Sequence, residues 1–194
     1  MKKIVRGILI GCVALSAGCV KVHFEPETKQ QQSDAAVLQG KDMRGQWAER
    51  LRAESTAQKL RTTKTFVDSV ISQYLRYGDL VAERWRAGNQ SQPQRMTDLD
   101  VRTMVSKGTE AQQPLFKAYE DMLEYAIEQI KLAREADDST MTLMTKYGDH
   151  LYETYSAVFF PTGTVEQFEE KLYQLQQRGH EISDDLEQSL QVYR

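Results

Sequence analysis

Three features of this 194-residue chain predict an all-α fold, an antiparallel helical bundle of about five helices that ends in a long, coiled-coil-like C-terminal helix. From Lys41 onward apolar residues recur at spacings of three and four, the signature of one helix face. Glycine and proline are sparse there and gather between the apolar runs, where helices stop. No segment sustains the period-two alternation of a half-buried strand bounded by hairpin turns.

The first helical segment runs from Met43 to about Leu60, with Met43, Trp47 and Leu51 four apart. Ser55 followed by Gln58 reads either as a capping box that starts a second helix or as a polar turn inside one long helix, so residues 43–87 form one helix or two. Phe66, Val67, Val70, Ile71, Tyr74, Leu75, Leu80, Val81 and Trp85 then make a wide apolar face, which ends at Ala87-Gly88-Asn89. A loop containing Pro93 follows. Thr97 with Asp100 opens a short helix that closes near Gly108, and Pro114 suits the first turn of the next.

From about Pro114 to Ala136, Phe116, Tyr119, Leu123, Ala126, Ile130 and Ala133 form a broad stripe, with Lys and Glu on the opposite face. Such a stripe faces the core of a bundle. Asp137-Asp138-Ser139 caps a further helix bearing Met141, Met144, Tyr147, Leu151, Tyr155 and Val158, and the short turn makes the pair an antiparallel hairpin. Phe159-Phe160-Pro161-Thr162-Gly163 breaks the pattern before Thr164 and Gln167 form another capping box. The last helix has the cleanest repeat, Val165, Phe168, Leu172, Leu175, Gly179, Ile182 and Leu186, and is expected to reach Tyr193 as a rod of roughly 43 Å. Gly179 sits on its seam, where it either admits a neighbouring helix closely or bends the rod.

The N-terminus has a different character. Lys2, Lys3 and Arg6 precede an apolar run of about ten residues, too short for the roughly 20 that span a bilayer. Leu15-Ser16-Ala17-Gly18-Cys19 follows, a signal-peptide layout that ends in small residues and a cysteine. This resembles the lipobox of bacterial lipoproteins, although Ser16 stands where that family most often has leucine, with Leu15 one place further back. Cys12 is preceded by a similar tripeptide, but cleavage there leaves too short an apolar region. The resemblance implies a signal peptide over residues 1–18, cleavage between Gly18 and Cys19, and acylation of the Cys19 thiol with palmitate-type chains. Two or more chains anchor a protein stably to a membrane. Val20 replaces the aspartate that retains such proteins in the inner membrane, which implies the outer membrane, facing the periplasm, in a Gram-negative host.

Residues 19–40, polar and carrying Gln30-Gln31-Gln32, read as the lipidated cysteine and a flexible tether, and residues 41–194 as a single helical-bundle domain. With Cys12 in the leader and Cys19 acylated, no disulfide remains, so the core must stabilise the domain. Without the leader, 22 basic residues face 28 acidic ones, a formal charge of -6 that gives no general attraction for nucleic acid.

Downstream of Cys19 no motif for catalysis, phosphate binding or a cofactor is present. His150 and Glu153 are three apart on one helix, but the Glu-x-x-His pairs of a di-iron bundle are absent, and a bundle-edge or solvated histidine is expected. Glu120, Glu124 and Glu128 read as a solvated face. No metal ligand is assigned.

Tyrosine is abundant, with Tyr147, Tyr152 and Tyr155 on one helix, in a pattern that fits core-edge packing or a docking or ligand surface. Phe159 and Phe160 either plug the end of the bundle or form a docking knob. The expected function is that of a lipid-anchored, non-enzymatic cell-envelope protein whose helical domain is an adaptor or assembly factor for an envelope protein partner. The alternatives are a carrier or sensor of an apolar ligand, with Met104, Met122, Met141 and Met144 lining a cavity, and an enzyme without a recognisable motif.

Overall fold

Residues that cap helices stand at the breaks between apolar runs, and each starts a helix in the computed structural model, which describes residues 29–91, 95–133 and 135–193. Ser55 and Gln58 exchange hydrogen bonds, Ser55 N to Gln58 Oε1 at 2.9 Å and Gln58 N to Ser55 Oγ at 3.3 Å. This separates α1 (Lys29–Ala53) from α2 (Thr56–Ser91), so the segment over 43–87 is two helices. Thr97 and Asp100 form the capping box of α3 (Asp98–Thr109). A 3-10 turn leads into α4 (Gln113–Ala133). The Asp137 carboxylate accepts from Thr140 N at 2.8 Å and starts α5 (Asp138–Phe159). Thr164 and Gln167 cap α6 (Val165–Ser189), which closes in a 3-10 turn over Leu190–Val192. Among the described residues there is no strand, and no helix is long and apolar enough to cross a membrane.

Side-chain pairings give the direction of each helix. Asp68 and Arg86 of α2 meet Ser183 and Glu169 of α6, so these two run antiparallel. Asp68 and Tyr77 meet Tyr147 and Phe159 of α5, so α2 and α5 run parallel. α6 folds back on α5, and α4 lies antiparallel to α5, with Phe116 near Tyr155. The α2 and α5 pair thus has α6 on one side and α4 on the other.

α1 lies outermost, alongside α4. Arg44 pairs with Asp121 at 2.5 Å, and the Trp47 indole N–H donates to the Met122 carbonyl at 2.8 Å.

Two boundaries differ from the sequence expectation. Lys29 to Gly40, expected within the tether, are helical as the first turns of α1. The reason is a seam of small residues: Ala36 is buried, and Gly40 approaches α4 so closely that an added Cβ would lie 3.0 Å from that of Ala118. Small residues contribute too little hydrophobicity for this seam to register as a period. Residues 19–28 lie outside those described. α6 has 25 residues, about 37 Å at 1.5 Å each, shorter than expected because its last turn tightens at Leu190. α2, with 36 residues, is the longest element.

The core runs the length of the bundle, from Trp85 and Phe168 at one end to Ile130, Leu186 and Leu190. A smaller cluster of Trp47, Leu51, Met122 and Ala126 sits between α1 and α4. At the loop between α5 and α6, Gly163 has φ 88°, a left-handed conformation that L residues with a side chain adopt only at a cost.

Candidate functional site

Asp68, Ser72, Arg76 and Asp79 are spaced four, four and three along α2 and so share one face. Opposite them, α6 presents Glu169, Tyr173, Gln176, His180 and Ser183. Between the two faces lies an open groove of about 700 Å³, floored by Ile71, Leu75, Leu172, Gly179 and the Tyr147 ring.

Charges at the two ends of the groove are bound into the fold. At one end, Asp68 Oδ1 accepts hydrogen bonds from the Tyr147 hydroxyl and from Ser183 Oγ, the latter at 2.9 Å, while Lys64 Nζ lies 3.0 Å from Oδ2. One carboxylate thereby ties α2, α5 and α6 together. Burial, with the Asp68 carboxylate beside it, pushes the Tyr147 phenol above its ordinary range, so it stays a neutral donor. At the other end Arg86 of α2 pairs with Glu169 of α6.

Between these ties the groove residues lack partners. Among the described residues, Arg76 has no hydrogen bond or ion pair, and Asp79 has no cation of its own. Burial raises the Asp79 carboxyl above its ordinary value, and the neighbouring Glu83 and Glu169 carboxylates raise it further. Tyr173 is 59% exposed, an aromatic ring on the polar side of α6. Ser183 and His180 both line the groove, but the serine hydroxyl donates to Asp68, which Lys64 and Tyr147 already hold. A groove of this kind can take up apolar and charged side chains of a bound segment.

A second, smaller pocket of about 410 Å³ lies at the start of α6, near Trp85, Arg95 and Met96. Glu166 sits there with its carboxyl lowered by its own backbone N–H, by Thr164, and by Arg95 and Arg86.

Of the five aromatic residues singled out in the sequence, Tyr155, Phe159 and Phe160 adjoin at the end of α5, the Tyr155 and Phe160 centroids 6.3 Å apart, whereas Tyr147 lies apart from them at the groove. Phe159 is buried in a ring cluster with Tyr155 (centroids 4.7 Å apart), Phe116 (4.8 Å), Tyr77 (5.4 Å) and Tyr74 (5.5 Å). Phe160, next to it, is 58% exposed, so one phenylalanine plugs the bundle end and the other projects. Tyr155 is half-buried over Phe159, and Tyr152 is half-buried toward Glu124 and Glu120 of α4. Tyr147 alone reaches the groove. Gly18 and Cys19 lie outside the described residues.

No protein-family model, curated protein or solved structure matches the chain.

His150 departs from the bundle-edge position expected of it. It is fully buried on α5, with neither ring nitrogen hydrogen-bonded, and its Nε2 occupies the space beside Gly179, where an added Cβ would lie 2.9 Å away. Gly179 therefore serves close approach of α5 and α6. Among the described residues, no group of three or more His, Cys, Asp or Glu is placed to hold a metal ion.

Apart from Tyr147, the polar groove residues are the ones that sequence reading passed over. Tyr173 carried the one available signal, since it falls beside Leu172 and off the apolar seam of α6.

Proposed function

We propose that this protein is a lipid-anchored, non-enzymatic component of the cell envelope whose helical domain binds a partner protein as an adaptor or assembly factor. The lipobox-like run ending at Cys19 supports the anchor, and Val20 favours the outer membrane with the domain facing the periplasm. The observation that carries the binding role is the α2/α6 groove, which combines an apolar floor, an exposed Tyr173 and charges without internal partners. Tyrosine and arginine, here Tyr173 and Arg76, are among the residues enriched at protein interfaces.

The disposition of the methionines favours protein binding over carriage of an apolar ligand. Met122 and Met144 are buried in the packed core, Met104 and Met141 lie against it, and none of them lines the groove.

The test is a photo-crosslinking amino acid placed at Tyr173 of the full-length protein in intact envelopes, with Glu128 on the outer face of α4 as the control position. One discrete protein adduct at 173 and none at 128 is the expected result. Equal adducts at both positions, or none at either, overturn the reading. The anchor is tested separately by Cys19→Ser, which is expected to leave an unprocessed precursor. Efficient release of a soluble mature form contradicts it.

A further inference from the structure

Resting on that reading, we infer that the groove binds an amphipathic helical segment of the partner, and that a lysine or arginine of this segment seats between Asp79 and Tyr173 while an acidic residue one turn away meets Arg76. The groove length fits such a segment. Asp68 to Asp79 is eleven residues of α2, or about 16 Å, three helical turns. Two antiparallel helices with an open, apolar-floored groove between them present a third helix with the surface that helix-in-groove recognition uses.

Charge complementarity selects the occupant. Asp79 has two carboxylate neighbours, Glu83 and Glu169, and Arg86 offsets only the second. A cation arriving there relieves the carboxylate repulsion that adds to burial in raising the Asp79 carboxyl. The exposed ring of Tyr173, across the groove, offers a face for the same cation. Arg76 and Asp79 are three apart, about 4.5 Å along the axis, yet they make no ion pair with each other. A partner helix with an acid and a base one turn apart satisfies both. A divalent cation fits less well, since no cluster of three ligating side chains is assembled among the described residues. An anionic ligand is opposed by the Asp79, Glu83 and Glu169 group.

The test uses the full-length lipidated protein in detergent micelles and three fluorescent 14-residue helical peptides with the same leucine seam. One carries lysine and glutamate one turn apart, one carries glutamine at both places, and one carries glutamate at both. The lysine–glutamate peptide is expected to bind about two- to fivefold tighter than the glutamine peptide for each matched charge, a preference that weakens with salt. Asp79→Asn should abolish the advantage of lysine, and Arg76→Gln that of glutamate, with helical content and unfolding midpoint unchanged. Equal binding of the lysine–glutamate and glutamine peptides, or a preference that neither Asp79→Asn nor Arg76→Gln diminishes, overturns the inference. Tightest binding of the doubly acidic peptide also overturns it.

The crosslinking at position 173 keeps the two failures apart. A heterologous adduct without peptide discrimination leaves the adaptor standing and removes the charged subsite. An adduct with the mass of two copies of this chain replaces the partner protein with self-association and overturns both.

Discussion

Gly179→Ala offers the sharpest test of the contact between α5 and α6, because two effects of known size oppose each other there. Replacing a helical glycine by alanine favours the helix by about 1 kcal/mol. Against this, the new methyl would lie 2.9 Å from His150 Nε2 and 3.4 Å from Cδ2, inside van der Waals distance. The imidazole is fully buried, so overpacking costs about 1–3 kcal/mol. The net expectation is a loss of up to about 2 kcal/mol, or a fall in Tm of a few degrees for a domain of this size. In a His150→Ala background the obstruction is gone and only the propensity gain remains, so the same substitution should stabilise by up to about 1 kcal/mol. Urea unfolding of the four proteins of this double-mutant cycle measures the coupling. If Gly179→Ala changes stability by the same amount in both backgrounds, the close approach of His150 to α6 is refuted.

Three further outcomes follow from single groups. Burial lowers the His150 pKa, with Arg178 and Lys171 of α6 acting the same way and Glu153 of α5 opposing. Unfolded histidine titrates near 6.5, so stability is complete above that pH and declines as pH falls from there toward the lower folded value; His150→Gln should flatten this decline in denaturation series between about pH 7.5 and 5. The Asp137 carboxyl is lowered to about 2, first by the Tyr193 hydroxyl and then by Thr140. Its contribution is present above the ordinary carboxylate value and lost as pH falls through about 2, and Tyr193→Phe should raise the pKa read from carboxyl chemical shifts. Trp47→Ala should cost about 3–5 kcal/mol through the lost α1/α4 packing, whereas Trp47→Phe, which loses the 2.8 Å bond to Met122 but keeps an aromatic ring, should cost less; equal losses in thermal unfolding would show that packing contributes little there.

Helix starts were legible because their chemistry is local. Ser55, Thr97, Asp137 and Thr164 each bond a backbone N–H three residues on, and no tertiary contact is needed to expect it. The first half of α1 was not legible, because its contacts are made by Ala36 and Gly40, which bring α1 close to α4 without an apolar stripe. Phe159 and Phe160 are indistinguishable in sequence; only the end of α5 decides that the first turns inward. His150 read as a bundle-edge or solvated residue because its helix position says nothing of Gly179, 29 places away, which leaves room for the ring. The groove escaped notice for the same reason. Asp79 and Glu169 are 90 residues apart and become neighbours only when α6 returns along α2.

The charges of the groove differ in whether the fold already uses them. Asp68 is held by Lys64, Tyr147 and Ser183, and Glu169 by Arg86, so both ends of α6 are tied to α2. Between the ties Gly179 seats α6 against His150 of α5, which fixes the depth of the groove from the core side. Removing the Asp68 tie should therefore loosen α6 and lower stability, because the Tyr147 hydroxyl, Ser183 and Lys64 lose a shared partner, whereas loss of the more exposed Arg86–Glu169 pair should cost at most about 1 kcal/mol. Arg76, Asp79 and Tyr173 stand on this held frame without internal partners, so substituting them should leave stability nearly unchanged.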